Sequence, residues 1–170
     1  MDIPAQMQAL AVIHGGYSGT AEGPAIGSLE PFVELRQMPV PQPGPGQALV
    51  RVALANINPS DLHFIKGEYG LPRTAGAPAG FEGCGVVAAA GEGAEGLVGR
   101  RVAFVGGGAW AQYAVVDAKS CVPVPDAVRD SDAAAFFVNP LTAIAMFEEV
   151  KQAGSKCFIM SAAASQLCKL

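Results

Sequence analysis

The sequence predicts a mainly β domain, a partly open barrel or sandwich, followed by the start of an α/β domain. Three observations carry this. From residue 7 to about 125, short apolar runs alternate with breaks in a chain holding 21 Gly and 13 Pro. From 131 to 154 the composition turns helical. KCFIM (156–160) then reads as a short buried strand, and SAAASQLCKL as a turn and helix, which together open a βαβ unit.

The elements follow in order. MQALAVIH (7–14) is the first strand, and a Gly-rich loop follows it. PFVELRQMPV (31–40) is the second, stopped by the rigid spacer PQPGPGQ. ALVRVALANI (48–57) starts as a third. CGVVAAAG, GRRVAFVG and AWAQYAVV are three further strand-like runs, and DAKSCVPVPDAV is a strand end and turn. In 131–154, Asp130 or Ser131 can cap a helix. Pro140 divides it, since Asn139 before a proline does not easily stay helical, so two helices with a break at Asn139 and Pro140 are predicted. Gly154 closes the second.

Composition narrows the function. Hydrophobic residues are 51% and charged residues 15%, a folding composition. The net charge of -4 and the scattered Lys and Arg argue against a nucleic-acid partner. Arg100 and Arg101, the only adjacent basic pair, read as a solvated turn. No apolar run approaches the ~20 residues of a membrane span. No basic residue precedes Arg36, so neither a secretory signal nor an Arg-rich transit peptide fits, and a cytoplasmic location is the default. The cysteines at 84, 121, 157 and 168 have no C-x-x-C spacing. They are expected to be reduced and buried. His14 and His63 have no ligand-spaced partner, so no metal site is written locally.

NINPSDLHFIKGEYG (56–70) is the densest stretch. Asn58 is a good N-cap, Pro59 suits the first helical position, and Asp61 favours the positive end of the helix dipole. Gly67 is a natural C-terminal glycine. Capping does not explain Tyr69. A half-buried surface ring and a functional phenol both fit it.

In order, NINPSD, IKGEYG, GFEGCGVV, GRRVAF, GAWAQYAVV and VNPLTA resemble the medium-chain dehydrogenase/reductase superfamily. The likeness is to its zinc-independent branch of quinone oxidoreductases and 2-enoyl thioester reductases, and is firmest over 48–142. The resemblance implies a GroES-like partly open barrel in residues 1–130. Residues 131–170 would be the linking helices and the first strand, turn and helix of a truncated Rossmann domain. It implies NADPH or NADH as cofactor, a small-molecule substrate and a homodimer. The zinc ligands of metal-dependent relatives fall at Asn58, Phe81 and Val138, none of which is a usual ligand, so no zinc is expected.

The resemblance also implies the site. Tyr69 matches the tyrosine with which enoyl thioester reductases polarise the substrate carbonyl. A phenol keeps its proton at neutral pH and can donate to an enolate oxygen. Asn58, Asn139 and Thr142 would line the nicotinamide cleft. Ala162, Ser165 and Cys168 stand at the dinucleotide loop, with Ser165 and Cys168 replacing the branch's two glycines. A second expectation is therefore a non-catalytic member that has lost cofactor binding. A quinone reductase in which Tyr69 only lines the pocket is a third. The chain reads as ending partway through the second domain, so no NADPH oxidation is expected from it alone.

Overall fold

The computed structural model describes all residues except Met1, Pro24, Ala162, Ala163, Gln166 and Leu170. Strands β1 (Gln6–Val12) and β2 (Val33–Pro39) pair antiparallel. Five more form one antiparallel sheet: β3 (Gln47–Ala55), β4 (Glu82–Ala90), β5 (Arg101–Val105), β6 (Tyr113–Asp117) and β7 (Cys121–Pro123). Its order is β6-β3-β4-β5-β7. Isolated bridges from Ala9 to Ala111 and from Ala11 to Pro78 tie β1 to the rest. The sheets curve round one interior without closing, which is the partly open barrel of the sequence reading.

Helix α1 (Pro59–Lys66) lies between β3 and β4. The core is assembled by strand alternation. Val50, Val87, Val102 and Phe104 are fully buried and pack together, with Ala114 and Val116 beside them. Each large aliphatic or aromatic side chain buried this way stabilises the fold by about 1.5–3 kcal/mol. β3 and β4 approach closely at Gly85, where any Cβ would collide with the Arg51 carbonyl. Leu49 and Val50 flank a register shift in that pairing, which bends the sheet.

Two helices follow, α2 (Asp130–Ala134) and α3 (Val138–Gln152). Arg101 holds the start of α2. Its guanidinium donates to Asp130 Oδ1 and to the carbonyls of Pro125 and Val128, the last at 2.6 Å. This is an anchoring residue, not the solvated turn the sequence suggested. Ala133 and Ala134 pack on Cys84.

The helix break lies at residues 135–137, ahead of the predicted Asn139 and Pro140. Pro140 falls in the first turn of α3, where its missing N–H breaks no intrahelical bond. Gly154, at φ 65°, follows the helix end as expected. α3 has no buried residue, and Ile144 and Phe147 are exposed. Residues 156–160 are not a strand, and Ile159 is fully exposed. An extended apolar run becomes a strand only when it pairs with another, and 156–160 pair with none of the described strands. Cys157 is exposed for the same reason, while Cys84 and Cys121 are buried as expected.

Candidate active site

α1 sets the first side of the site. Asn58 occupies the N-cap position with extended backbone (φ -105°, ψ 158°), and Pro59 opens the helix. Asp61 reaches back, its Oδ2 accepting the Asn58 N–H at 2.7 Å. Asp61 is wholly buried, and its Oδ1 has no hydrogen-bond partner. Burial pushes the Asp61 carboxyl up from 3.8 to about 6; the Asn58 amide opposes this and the charge of Glu82 adds to it. At the other end Gly67 takes φ 81°, and a Cβ there would meet the Arg73 guanidinium at 2.5 Å. Arg73 instead donates to the Ile65 carbonyl at 3.0 Å, satisfying an orphan acceptor of the last turn.

Glu82 is the centre of the site and was missed by sequence reasoning. It is the first residue of β4, and its side chain is fully buried. Asn56 Nδ2 and Asn58 Nδ2 donate to Oε1 at 2.9 and 2.7 Å. The backbone amides of Phe137 and Val138 donate to Oε2 at 3.1 and 2.9 Å. Those amides open α3, so the carboxylate also meets the positive end of a helix dipole. Asn58 Oδ1 in turn accepts from Asn56 Nδ2 at 3.2 Å and Asn139 Nδ2 at 3.3 Å. The available signal was an acidic residue inside the apolar run GFEGCGVV, since unpaired Glu is almost never fully buried.

Tyr69 stands just past α1, 39% exposed. Its ring lies 5.5 Å from that of Phe81, and Phe81 lies 5.0 Å from Phe64. An open cleft of about 340 Å³ is lined by Phe64, Phe81, Pro72, Pro78 and Gly107, among others. Beside Tyr69, Glu68 binds the loop after β1. It accepts from the Glu22 and Gly23 amides at 3.1 and 3.0 Å and from Thr20 at 3.1 Å. Lys66 Nζ is 3.2 Å away and donates to the Gly23 carbonyl at 2.6 Å. Burial alone would raise the Glu68 carboxyl. The two amides, Lys66 and Thr20 outweigh it and hold the pKa at about 2.

The fold is shared with known proteins. Residues 44–126 match the alcohol dehydrogenase GroES-like domain. The chain is similar over 99% of its length to the crystal structure of a candidate NADPH:quinone reductase from Mesorhizobium loti, at 55% identity and a TM-score of 0.95. It covers 51% of that chain. The chain belongs to the medium-chain dehydrogenase/reductase superfamily. Among superfamily relatives, prostaglandin reductase-3 of Bos taurus is 41% identical over 92 residues, 53% of this chain and 24% of its own. Mitochondrial enoyl-[acyl-carrier-protein] reductase of Bos taurus is 36% identical over 123 residues, 71% of this chain and 33% of its own. The chain thus spans about half the length of the Mesorhizobium loti protein, and less of the two curated ones.

Asn58 and Asn139 are brought together, but Asn58 is only 3% exposed and faces Glu82 and Asn139 rather than open space. Thr142 is exposed on α3, and its hydroxyl donates to the Val138 carbonyl at 2.5 Å. Tyr69 joins the group only through Phe81, the residue before Glu82. Ser165 and Cys168 lie apart, in the C-terminal segment. The Cys168 amide donates to Ser165 Oγ at 3.3 Å. Ala162 is outside the described residues. Of the places where metal-dependent superfamily members hold zinc, Phe81 and Val138 have hydrocarbon side chains. Asn58 Nδ2 and the Val138 amide both bond Glu82. This donor set does not fit zinc.

Proposed function

We propose that this chain carries the substrate-facing part of a zinc-free, NADPH-dependent oxidoreductase. The reaction is hydride transfer to the C=C of an enone or 2-enoyl thioester, or to a quinone. The observation that carries the reading is the 55% identity, over 99% of the chain, to a protein described as a candidate NADPH:quinone reductase. The likenesses to prostaglandin and enoyl reductases support the same class. NADPH is favoured over NADH because it is named for the Mesorhizobium loti protein and is bound in the structure of a mycobacterial neighbour.

In this reading residues 1–130 are the catalytic domain, and 131–170 lead into the nucleotide-binding one. Bound NADPH supplies the hydride. Asn139 and Thr142, both near the start of α3, face its nicotinamide end. Tyr69 donates a hydrogen bond, and then a proton, to the substrate oxygen. Its exposure supports access to substrate, and the apolar rings of Phe81 and Phe64 support exclusion of water on one side. The hydrocarbon side chains of Phe81 and Val138 support chemistry without zinc.

A second reading, a non-catalytic superfamily member, is favoured by one observation. Ser165 Oγ accepts the Cys168 amide, in a loop where glycines would leave backbone free for a pyrophosphate. The test is nucleotide binding and oxidation, measured on the 170-residue chain and on the entire gene product. Each is given a 2-enoyl thioester and a quinone. Oxidation of NADPH by the gene product is expected, and none by the 170-residue chain. No binding of either nucleotide by the gene product would sink the enzyme reading.

A further inference from the structure

Glu82 is a buried carboxylate for which none of the described ion pairs supplies a cation. Four N–H groups hold its charge: two side-chain amides on the α1 side and two backbone amides opening α3. The four donors come from residues 56, 58, 137 and 138, so one side chain joins two remote stretches of chain. α3 has no buried residue, so packing gives it little hold on the β domain. The Glu82 carboxylate and the Asn139 bond to Asn58 are what fasten its first turn.

We propose that Glu82 is a positioning residue that sets where the start of α3 stands against α1. Through that it fixes Asn139, and it fixes the orientation of the Asn58 carboxamide. The inference rests on the reading that the first turns of α3 face the nicotinamide. Glutamate is required chemically. Both its oxygens accept, whereas glutamine accepts on one only and its NH2 would oppose either two backbone amides or two side-chain amides. The backbone amides cannot turn, so in E82Q the amide nitrogen faces Asn56 and Asn58, and the Asn58 carboxamide must flip. A flipped Asn58 presents NH2 to Asn139 and loses that bond as well.

The same turn of chain links the two halves of the site. Phe81 packs against Tyr69 and Phe64, while its neighbour Glu82 binds Asn58 and α3. Successive side chains of an extended segment point to opposite faces. A shift at Glu82 therefore moves the hydrogen-bond donor and the nicotinamide-facing residues relative to each other.

The test compares wild type and E82Q in the entire gene product. In E82Q the Gln oxygen still accepts from Phe137 and Val138 but carries no charge, and the Asn139 tie is lost, so exchange at these two amides is expected to accelerate about tenfold or more, with β3 and β6 unchanged. The side-chain NH2 signals of Asn58 and Asn139 are expected to shift. Turnover is expected to fall about 10–100-fold while KM for NADPH stays within about threefold, a split that general destabilisation would not produce. Wild-type exchange at both amides overturns the proposal, as does faster exchange with unchanged kcat. If wild type has no oxidoreductase activity, the reading of the site fails. Exchange and the Asn signals then still decide whether Glu82 holds α3. If E82Q does not fold, scalar couplings through the hydrogen bonds from the Phe137 and Val138 amides to the Glu82 carboxylate are sought in wild type. Their absence overturns the proposal.

Discussion

Asn58 Nδ2 donates to Glu82 Oε1 at 2.7 Å, and this bond joins the start of α1 to the start of β4. Both residues are buried, so neither can turn to water if the other is lost. Asn58→Ala is therefore expected to cost about 1–3 kcal/mol, the range for leaving a buried acceptor under-satisfied. Asn58→Asp replaces a donor with a second carboxylate and is expected to cost more, about 3 kcal/mol or above. Urea unfolding of the three proteins at neutral pH orders them. An aspartate variant as stable as the alanine variant would mean that Glu82 does not need a donor there.

Asp61 predicts a pH dependence of stability. Its carboxyl is raised from 3.8 to about 6 in the fold, so the folded state binds the proton more tightly than the unfolded state. The stabilisation is fully present below the ordinary value and is lost as pH rises through about 6. The difference amounts to about 3 kcal/mol across that window. Asp61→Asn keeps an acceptor for the Asn58 N–H and cannot titrate. The variant is expected to show a flatter profile of melting temperature against pH between 4 and 7. Parallel profiles for the two proteins would show that Asp61 ionises normally.

Most of the β domain was legible because strands in it are short and their ends are punctuated. Glycine and proline mark the turns, and apolar positions recur at the period of a half-buried strand. The residues 156–160 were misread for a physical reason: an apolar β-type run looks the same whether or not a partner edge exists. The helix break was misplaced because a proline in a first turn loses nothing, so Pro140 belongs to α3 instead of ending a helix. Asn58 and Tyr69 could be singled out as candidates from their motifs. Glu82 was not, because what stabilises a buried carboxylate is donors that the fold brings in from residues 56, 58, 137 and 138. Only assembled structure reveals that convergence.

The loop after β1 is fastened by Glu68, and its pKa sets the sign of a second pH effect. Held at about 2 against an ordinary 4.5, the carboxylate contributes stability above 4.5 that is lost as pH falls toward 2. This window lies mostly below that of Asp61 and the effect has the opposite sign, so the two separate. Glu68→Gln removes the acid response and leaves the buried Lys66 ammonium without its nearest carboxylate. Proteolytic nicking between residues 17 and 28 is expected to accelerate about tenfold in the variant, with the strands unaffected. A wild-type nicking rate would show that Lys66, through the Gly23 carbonyl, holds the loop without help.

Tyr69→Phe separates the two roles open to that residue. The ring packs on Phe81 and the phenylalanine ring can do the same, so stability is expected to change by no more than about 0.5 kcal/mol. Only the hydroxyl is lost. If it donates to the oxygen of a reacting carbonyl, reduction of a 2-enoyl thioester is expected to fall about 10²–10⁴-fold, the range for a positioned proton donor. Nucleotide affinity should not move, since in the proposed reading Tyr69 meets the substrate, and it does not lie on α3. Quinone reduction is the informative comparison. A quinone accepts hydride with less need of a proton at that position, so its rate should fall far less. Equal losses on both substrates would assign Tyr69 a general part in shaping the cleft. Unchanged rates on both would leave it a surface ring, and the acid would have to be sought elsewhere around Phe81.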